Sequence, residues 1–267
     1  MIRKAQFAGN WYPGNPGALR ADLSTYLGQG ADGKKSVAVV APHAGYMYSG
    51  PVAGAVYARV EVPEIVVVLA VNHRGVGAPA AVMAAGSWET PLGRVPVEED
   101  FVLRLMRNTA LLQDDARAHE KEHSLEMHLP FLQQRNPGFR LVPICLQQLS
   151  YPACLELGGG LAKTIKESPR GVLLVASTDM THFETRESAR KKDMTAIQRV
   201  LEVDPEGLYQ TVQKSRISMC GYIPTTAVLC ACRELGVRKG ELVRYTTSGE
   251  VSGDFSSVVG YAGILLR

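Results

Sequence analysis

The chain has 267 residues, 46% of them hydrophobic and 21% charged, and a formal net charge of +3. That balance fits a globular fold with ample core material, and with no block of like charge it argues against a nucleic-acid or membrane-surface binder. The first twelve residues lack an apolar h-region and the longest apolar runs are far too short to span a bilayer, so a soluble, cytoplasmic protein is expected. Asn15-Pro16 starts a helix, with Asn as cap and Pro at the first helical position; Leu19, Leu23, Tyr26 and Leu27 keep helical spacing, and Gly28 and Gly30 follow. Strands are expected at 37–41, 65–71, 80–84, 140–146, 171–176, 242–246 and 257–266, several of them continuous Val, Ile and Leu runs that suit strands buried on both faces. Helices are expected at 98–112, 124–134, 152–167, 184–203 and 224–235, with Gly158-Gly159-Gly160 as a kink in the third of them. No repeat or linker divides the chain. The reading is a single α/β domain, 1–267, with a mixed, mostly parallel sheet flanked by helices.

Five cysteines, Cys145, Cys154, Cys220, Cys230 and Cys232, form an odd set without framework spacing, as expected of reduced thiols. Lys191 and Lys192 lie among Glu184, Glu187 and Asp193 in what reads as a solvated helix face.

Ligand sites in open α/β sheets lie beyond the carboxyl ends of strands. His43, in Pro42-His43-Ala44-Gly45-Tyr46, follows one predicted strand; His73, in Asn72-His73-Arg74-Gly75, follows the next; Asp179 and His182, in Ser177-Thr178-Asp179-Met180-Thr181-His182, follow a third. Each histidine alone reads equally well as a capping or surface group. Asp179 and His182 together suit acid–base work. Glu122-His123-Ser124-Leu125-Glu126-Met127-His128-Leu129-Pro130 crowds acids and histidines together, but His123 and His128 are five apart, roughly 140° around a helix, so at most one faces a shared site. The bland alternative is a charged helix start. Cys220 precedes a Gly turn and a helix at Pro224, a setting that favours thiolate, although a buried inert thiol is the commoner fate of cysteine. No P-loop, dinucleotide fingerprint or GxSxG elbow is present.

Taken together, Ala8-Gly9-Asn10-Trp11-Tyr12, Pro42-His43-Ala44-Gly45-Tyr46, Glu122-His123-Ser124-Leu125-Glu126-Met127-His128-Leu129-Pro130, Ser177-Thr178-Asp179 with His182, and Cys220-Gly221 with Pro224 resemble the Memo family over nearly the whole chain. The resemblance implies a fold similar to LigB-type extradiol dioxygenases, with His43, His73 and Cys220 in the metal-ligand positions. It implies His182 as acid–base group, with Asp179 and either His123 or Glu122 lining the same cleft. In the dioxygenases the third ligand is a carboxylate, so the cysteine is a departure. Animal members carry Ser-His-His where this chain has Asn72-His73-Arg74, and an Arg where it has Tyr222. Fe(II) is the favoured metal, with Cu and Zn as alternatives. Three functions are open. The first is a non-haem, iron-dependent, dioxygenase-like redox enzyme acting on a small molecule. The second is a peptide- or protein-binding module using the same cleft. The third is a hydrolase with Cys220 as nucleophile and His182 or His43 as base. Partner proteins of a radical-SAM-linked system are also implied by the resemblance.

Overall fold

The computed structural model describes residues 1–28 and 33–267; the predicted Gly30 stop lies outside them. In chain order the elements are β1 (Ile2–Arg3), α1 (Pro16–Leu27), β2 (Ala38–Ala41), α2 (Tyr46–Ala58), β3 (Ile65–Val71), β4 (Ala80–Val82), β5 (Ser87–Thr90), β6 (Gly93–Pro96), α3 (Glu99–Asn108), β7 (Gln113–Asp114), α4 (Leu129–Arg135), β8 (Arg140–Leu146), α5 (Tyr151–Lys166), β9 (Val172–Ser177), β10 (His182–Glu184), α6 (Arg186–Leu201), α7 (Pro205–Lys214), α8 (Tyr222–Glu234), β11 (Gly240–Thr247), α9 (Gly249–Ser252) and β12 (Val258–Leu266). Two short 3₁₀ turns, Ala116–His119 and Glu126–His128, precede α4.

Among the described residues the main sheet runs β10-β12-β2-β9-β3-β8-β4-β7, with β11 also paired to β12. Its centre, β2-β9-β3-β8, is parallel; β12 joins β2 and β4 joins β8 in the antiparallel sense. A smaller sheet, β1-β5-β6, lies apart. The result is a single-domain α/β fold with a mixed sheet flanked by helices, as the alternation of elements implied. Residues 65–70 are fully buried, which is why β3 reads as an unbroken apolar run. Burying each such side chain stabilises the fold by about 1.5–3 kcal/mol relative to leaving it exposed. No helix among the described residues is long and apolar enough to cross a membrane.

The order β2-β9-β3 fixes the site. β9 enters between β2 and β3, so the loops leaving Ala41, Val71 and Ser177 emerge side by side. Ala41 pairs with Ser177 in register, placing His43 and Asp179 two residues beyond matched positions.

Three expectations are corrected. The predicted helix 124–134 is a 3₁₀ turn followed by the short α4. Ser124 cannot start a helix there because its hydroxyl donates to the Val71 carbonyl and accepts from the Val71 amide, stitching this segment to the end of β3. The triple glycine does not interrupt α5; a Cβ at Gly158 would sit 2.4 Å from the Cys230 Cβ, so the glycine admits the close approach of α8. Asp193 is not part of a solvated face: it is fully buried and accepts from the Thr181 amide at 2.9 Å and the Tyr245 hydroxyl at 2.8 Å. Helix α2, which contains Gly50, Pro51 and Gly54, was not expected from propensity, nor were α7 and the short strands β1, β5, β6, β7 and β10.

Candidate metal centre

The loops after β2, β3 and β9 and the segment before the Glu126–His128 turn meet at one cleft of about 490 Å³. His43, His73, His123, Asp179 and His182 line it, with Asn10, Trp11, Met47 and Tyr48 among the other wall residues. One ligand atom from each of His43, His73 and His123 lies within 4.8 Å of the others, so this cluster can hold a metal ion.

Cys220 joins the cluster from the other side: its Sγ is 3.3 Å from His43 Nε2 and accepts the Asp179 amide at 3.3 Å. The approach depends on the next residue. A Cβ on Gly221 would lie 2.1 Å from the Ser177 carbonyl oxygen and 2.5 Å from the Thr178 Cβ, so only glycine lets the start of α8 press onto the end of β9. The Gly221 amide then donates to the Thr178 hydroxyl at 2.9 Å.

The two strand-end imidazoles are held by their inner nitrogens. His73 Nδ1 is 2.9 Å from Glu122 Oε1, and the His73 amide donates to Oε2 at 2.8 Å. His43 Nδ1 is 2.6 Å from the Ser177 hydroxyl. Both leave Nε2 as the outer nitrogen, the arrangement of a histidine ligand whose other nitrogen is fixed by an outer partner. His123 stacks on His73, with ring centroids 4.6 Å apart and planes at 18°, and lies against Trp11 at 4.4 Å. Its Nδ1 is 3.2 Å from the same Glu122 oxygen. His182 is tied by its amide to the Ser218 hydroxyl at 2.8 Å and by Nδ1 to the Ser218 carbonyl at 2.9 Å, so Nε2 is its free nitrogen. His128 does not line the cleft; it is fully buried between Tyr57 and Ser177.

Burial dominates the electrostatics. It pushes His43 well down, and the neighbouring His123 and His73 add to the effect; His123 is lowered to about 4 by burial, against the pull of Glu122. Burial acts to raise Glu122, but the hydrogen bond and charge of His73 outweigh it and the carboxyl settles at about 2. Asp179 is raised to about 6 by burial despite accepting the His43 amide at 2.9 Å. Cys220 is pushed up by burial and by the adjacent Asp179. The thiolate expected from the helix start is therefore corrected: without a cation the sulfur keeps its proton, and a metal ion would have to displace it. With two imidazoles whose outer nitrogens are Nε2 and a thiol beside one of them, the donor set fits a borderline or soft transition metal rather than Mg²⁺ or Ca²⁺.

The Memo-like protein family model matches residues 3–265. The chain belongs to the Memo family. A MEMO1 family protein of Methanopyrus kandleri is 41% identical over 281 residues, covering 100% of this chain and 99% of the relative. Similar proteins occur in Methanocaldococcus jannaschii, 40% identical over 286 residues with 100% and 99% covered, and in Methanothermobacter thermautotrophicus, 38% over 274 residues with 98% and 99% covered. Among solved structures, an uncharacterized protein of Escherichia coli K12 shares the fold with a TM-score of 0.54 at 15% identity, over 86% of this chain and 99% of its own.

Of the residues singled out in the sequence, His43, His73, His123, Asp179 and His182 line the cleft, and Cys220 lies outside its lining, in contact with His43. The sequence missed Ser177, Trp11, Met47 and Tyr48 as site residues. Ser177 and Trp11 stood inside quoted motifs, but no spacing rule gives a strand-end serine a role, and Trp11 reaches the cleft only through the fold.

Proposed function

We propose that the cleft is the centre of a metal-dependent redox protein acting on a small organic molecule, with His43, His73 and Cys220 as ligands and Fe(II) as the favoured ion. The carrying observation is the approach of Cys220 Sγ to His43 Nε2 beside the histidine cluster. His123 completes the compact three-histidine cluster and Cys220 touches that cluster through His43; ring geometry favours the cysteine as third ligand. Imidazoles sharing one ion need in-plane lone pairs that converge on it, whereas the nearly parallel His73 and His123 rings direct theirs side by side. His123 is then a wall of the substrate space.

A bound transition metal would supply electron transfer and Lewis-acid activation at its open face. The protein's own groups do the rest. His182, its Nδ1–H spent on the Ser218 carbonyl, has Nε2 free to accept a proton from a substrate in the cleft. Asp179 holds the His43 loop by accepting the His43 amide, keeps a carboxyl oxygen 4.0 Å from His43 Nε2, and donates its own amide to Cys220 Sγ. Trp11, Met47 and Tyr48 form an apolar wall that excludes water around the substrate.

The binding-module reading draws support from the rim, where Met47 is 62% and Phe183 79% exposed. The hydrolase reading has the right Cys220–His43 contact, but the burial that keeps the thiol protonated weighs against it.

The test is anaerobic Fe(II) and Co(II) titration of wild type and single variants, followed by turnover with a substrate panel. One metal per chain is expected, lost in Cys220→Ala and kept in His123→Ala and His182→Ala, with turnover lost in the last. Metal lost in His123→Ala and kept in Cys220→Ala would replace the ligand set, and metal binding with no turnover on any substrate would favour the binding module.

A further inference from the structure

Behind His43 a buried chain of side chains runs Tyr57, His128, Ser177. The Tyr57 hydroxyl is 2.9 Å from His128 Nδ1, His128 Nε2 is 2.7 Å from Ser177 Oγ, and Ser177 Oγ is 2.6 Å from His43 Nδ1 and 2.7 Å from the Ser124 carbonyl. All of these groups are sealed from solvent. The protons can be counted. A carbonyl only accepts, so the single Ser177 hydroxyl proton belongs to Ser124. Ser177 must then accept from both histidines, which requires His43 Nδ1–H and His128 Nε2–H. His128 Nδ1 is left to accept from Tyr57. Every donor and acceptor is matched in this assignment; placing the Ser177 proton on either ring leaves the Ser124 oxygen facing Ser177 without one.

We infer that Ser177 and His128 are positioning residues that hold His43 in the tautomer presenting a bare Nε2 to the metal. This inference rests on the metal reading above. It also makes the two imidazole ligands unequal. His73 is backed by the Glu122 carboxylate, which draws its proton and enriches the ring; His43 is backed by a neutral hydroxyl already accepting from His128. Of the two, His43 is the electron-poorer donor.

Long-range ¹H–¹⁵N NMR of the metal-free protein tests the assignment without any substitution. His43 should carry its proton on Nδ1, and His128 on Nε2; a His43 proton on Nε2 overturns the inference. Ser177→Ala should release His43 to the other tautomer and weaken Co(II) binding by about 10–100-fold, the usual cost of losing an outer partner. His128→Gln, whose amide nitrogen can replace Nε2–H, should bind Co(II) more tightly than His128→Leu, while the His73 tautomer stays fixed by Glu122 in all three. Wild-type Co(II) affinity in Ser177→Ala overturns the positioning role. A wild type that binds no Co(II) overturns the metal reading instead, and the NMR result then stands or falls by itself. If Ser177→Ala does not fold, the wild-type spectrum and the two His128 variants decide.

Discussion

The two ends of the parallel strands handle charge in opposite ways. At the amino end, Glu98 takes both Arg140 and Arg170, and Arg170 also reaches Glu64 at 2.7 Å. Both carboxylates there, Glu98 and Glu64, meet a guanidinium. At the carboxyl end, Glu122 meets an imidazole and the Ser124 and His73 amides, and Asp179 meets the His43 amide. The guanidinium beside this end, Arg3, is occupied by Glu126, by the Lys4, His119 and Glu122 carbonyls, and by the face of Trp88 at 4.5 Å. Fixed cations brace one end. Imidazoles backed by oxygen partners occupy the other, which is what a site for a transition-metal cation needs.

The largest effect is expected where a fixed charge pair supports the ligand end. Glu126 is fully buried and accepts from Arg3, the Gln6 and Phe7 amides and the Tyr12 hydroxyl at 2.6 Å. Glu126→Ala strands Arg3 and should cost about 3–5 kcal/mol in urea denaturation. It should also loosen Trp11 and His123, seen as a higher exchange rate of the residue 5–12 amides. A loss under about 1 kcal/mol would break the claim that this pair braces the cleft.

At the other end, Glu98→Gln should cost about 1–2 kcal/mol, since its arginine partners are part-exposed, and leave Co(II) binding untouched. The same residue sets a pH dependence. Burial acts to raise Glu98, but the Arg170 and Arg140 guanidiniums outweigh it and hold the carboxyl below its ordinary value of 4.5. Its contribution is present above that value and fades as the pH falls through the folded-state pKa. The denaturation midpoint of wild type should therefore drop faster than that of Glu98→Gln on going below about pH 4.5. Parallel curves would show that Glu98 is not what the arginines stabilise.

The smallest stability effect belongs to the cysteine. Cys220→Ala should change the unfolding free energy by less than about 1 kcal/mol, because it gives up only weak sulfur hydrogen bonds, yet it should abolish tight Co(II) binding. A large stability loss would make Cys220 a packing residue.

How far the sequence reached follows the same division. Strands β3 and β8 were read with their observed bounds because burial on both faces writes itself as an apolar run. The histidines and Asp179 were legible because strand ends are a rule of position. Helix α2 was not, since Gly50, Pro51 and Gly54 depress its local propensity and its stability comes from tertiary packing; a Cβ on Gly54 would sit 2.4 Å from the Tyr26 carbonyl oxygen. Asp193 was misread because a buried acid on a helix looks like any other acid until Thr181 and Tyr245 are brought to it. The Ser177 network was illegible for the same reason: its members are 49 to 134 residues apart and meet only in the fold.

The Cys220–His43 contact joins groups 177 positions apart in the chain. A ribosome must deliver β2, β3, β8 and β9 before that sulfur can reach that nitrogen. On the proposed ligand set, the nascent chain carries scattered imidazoles for most of its synthesis and gains the sulfur donor only when α8 docks. A metal held by that sulfur would then be taken up late in the life of the polypeptide, and its uptake would report whether the sheet has closed correctly.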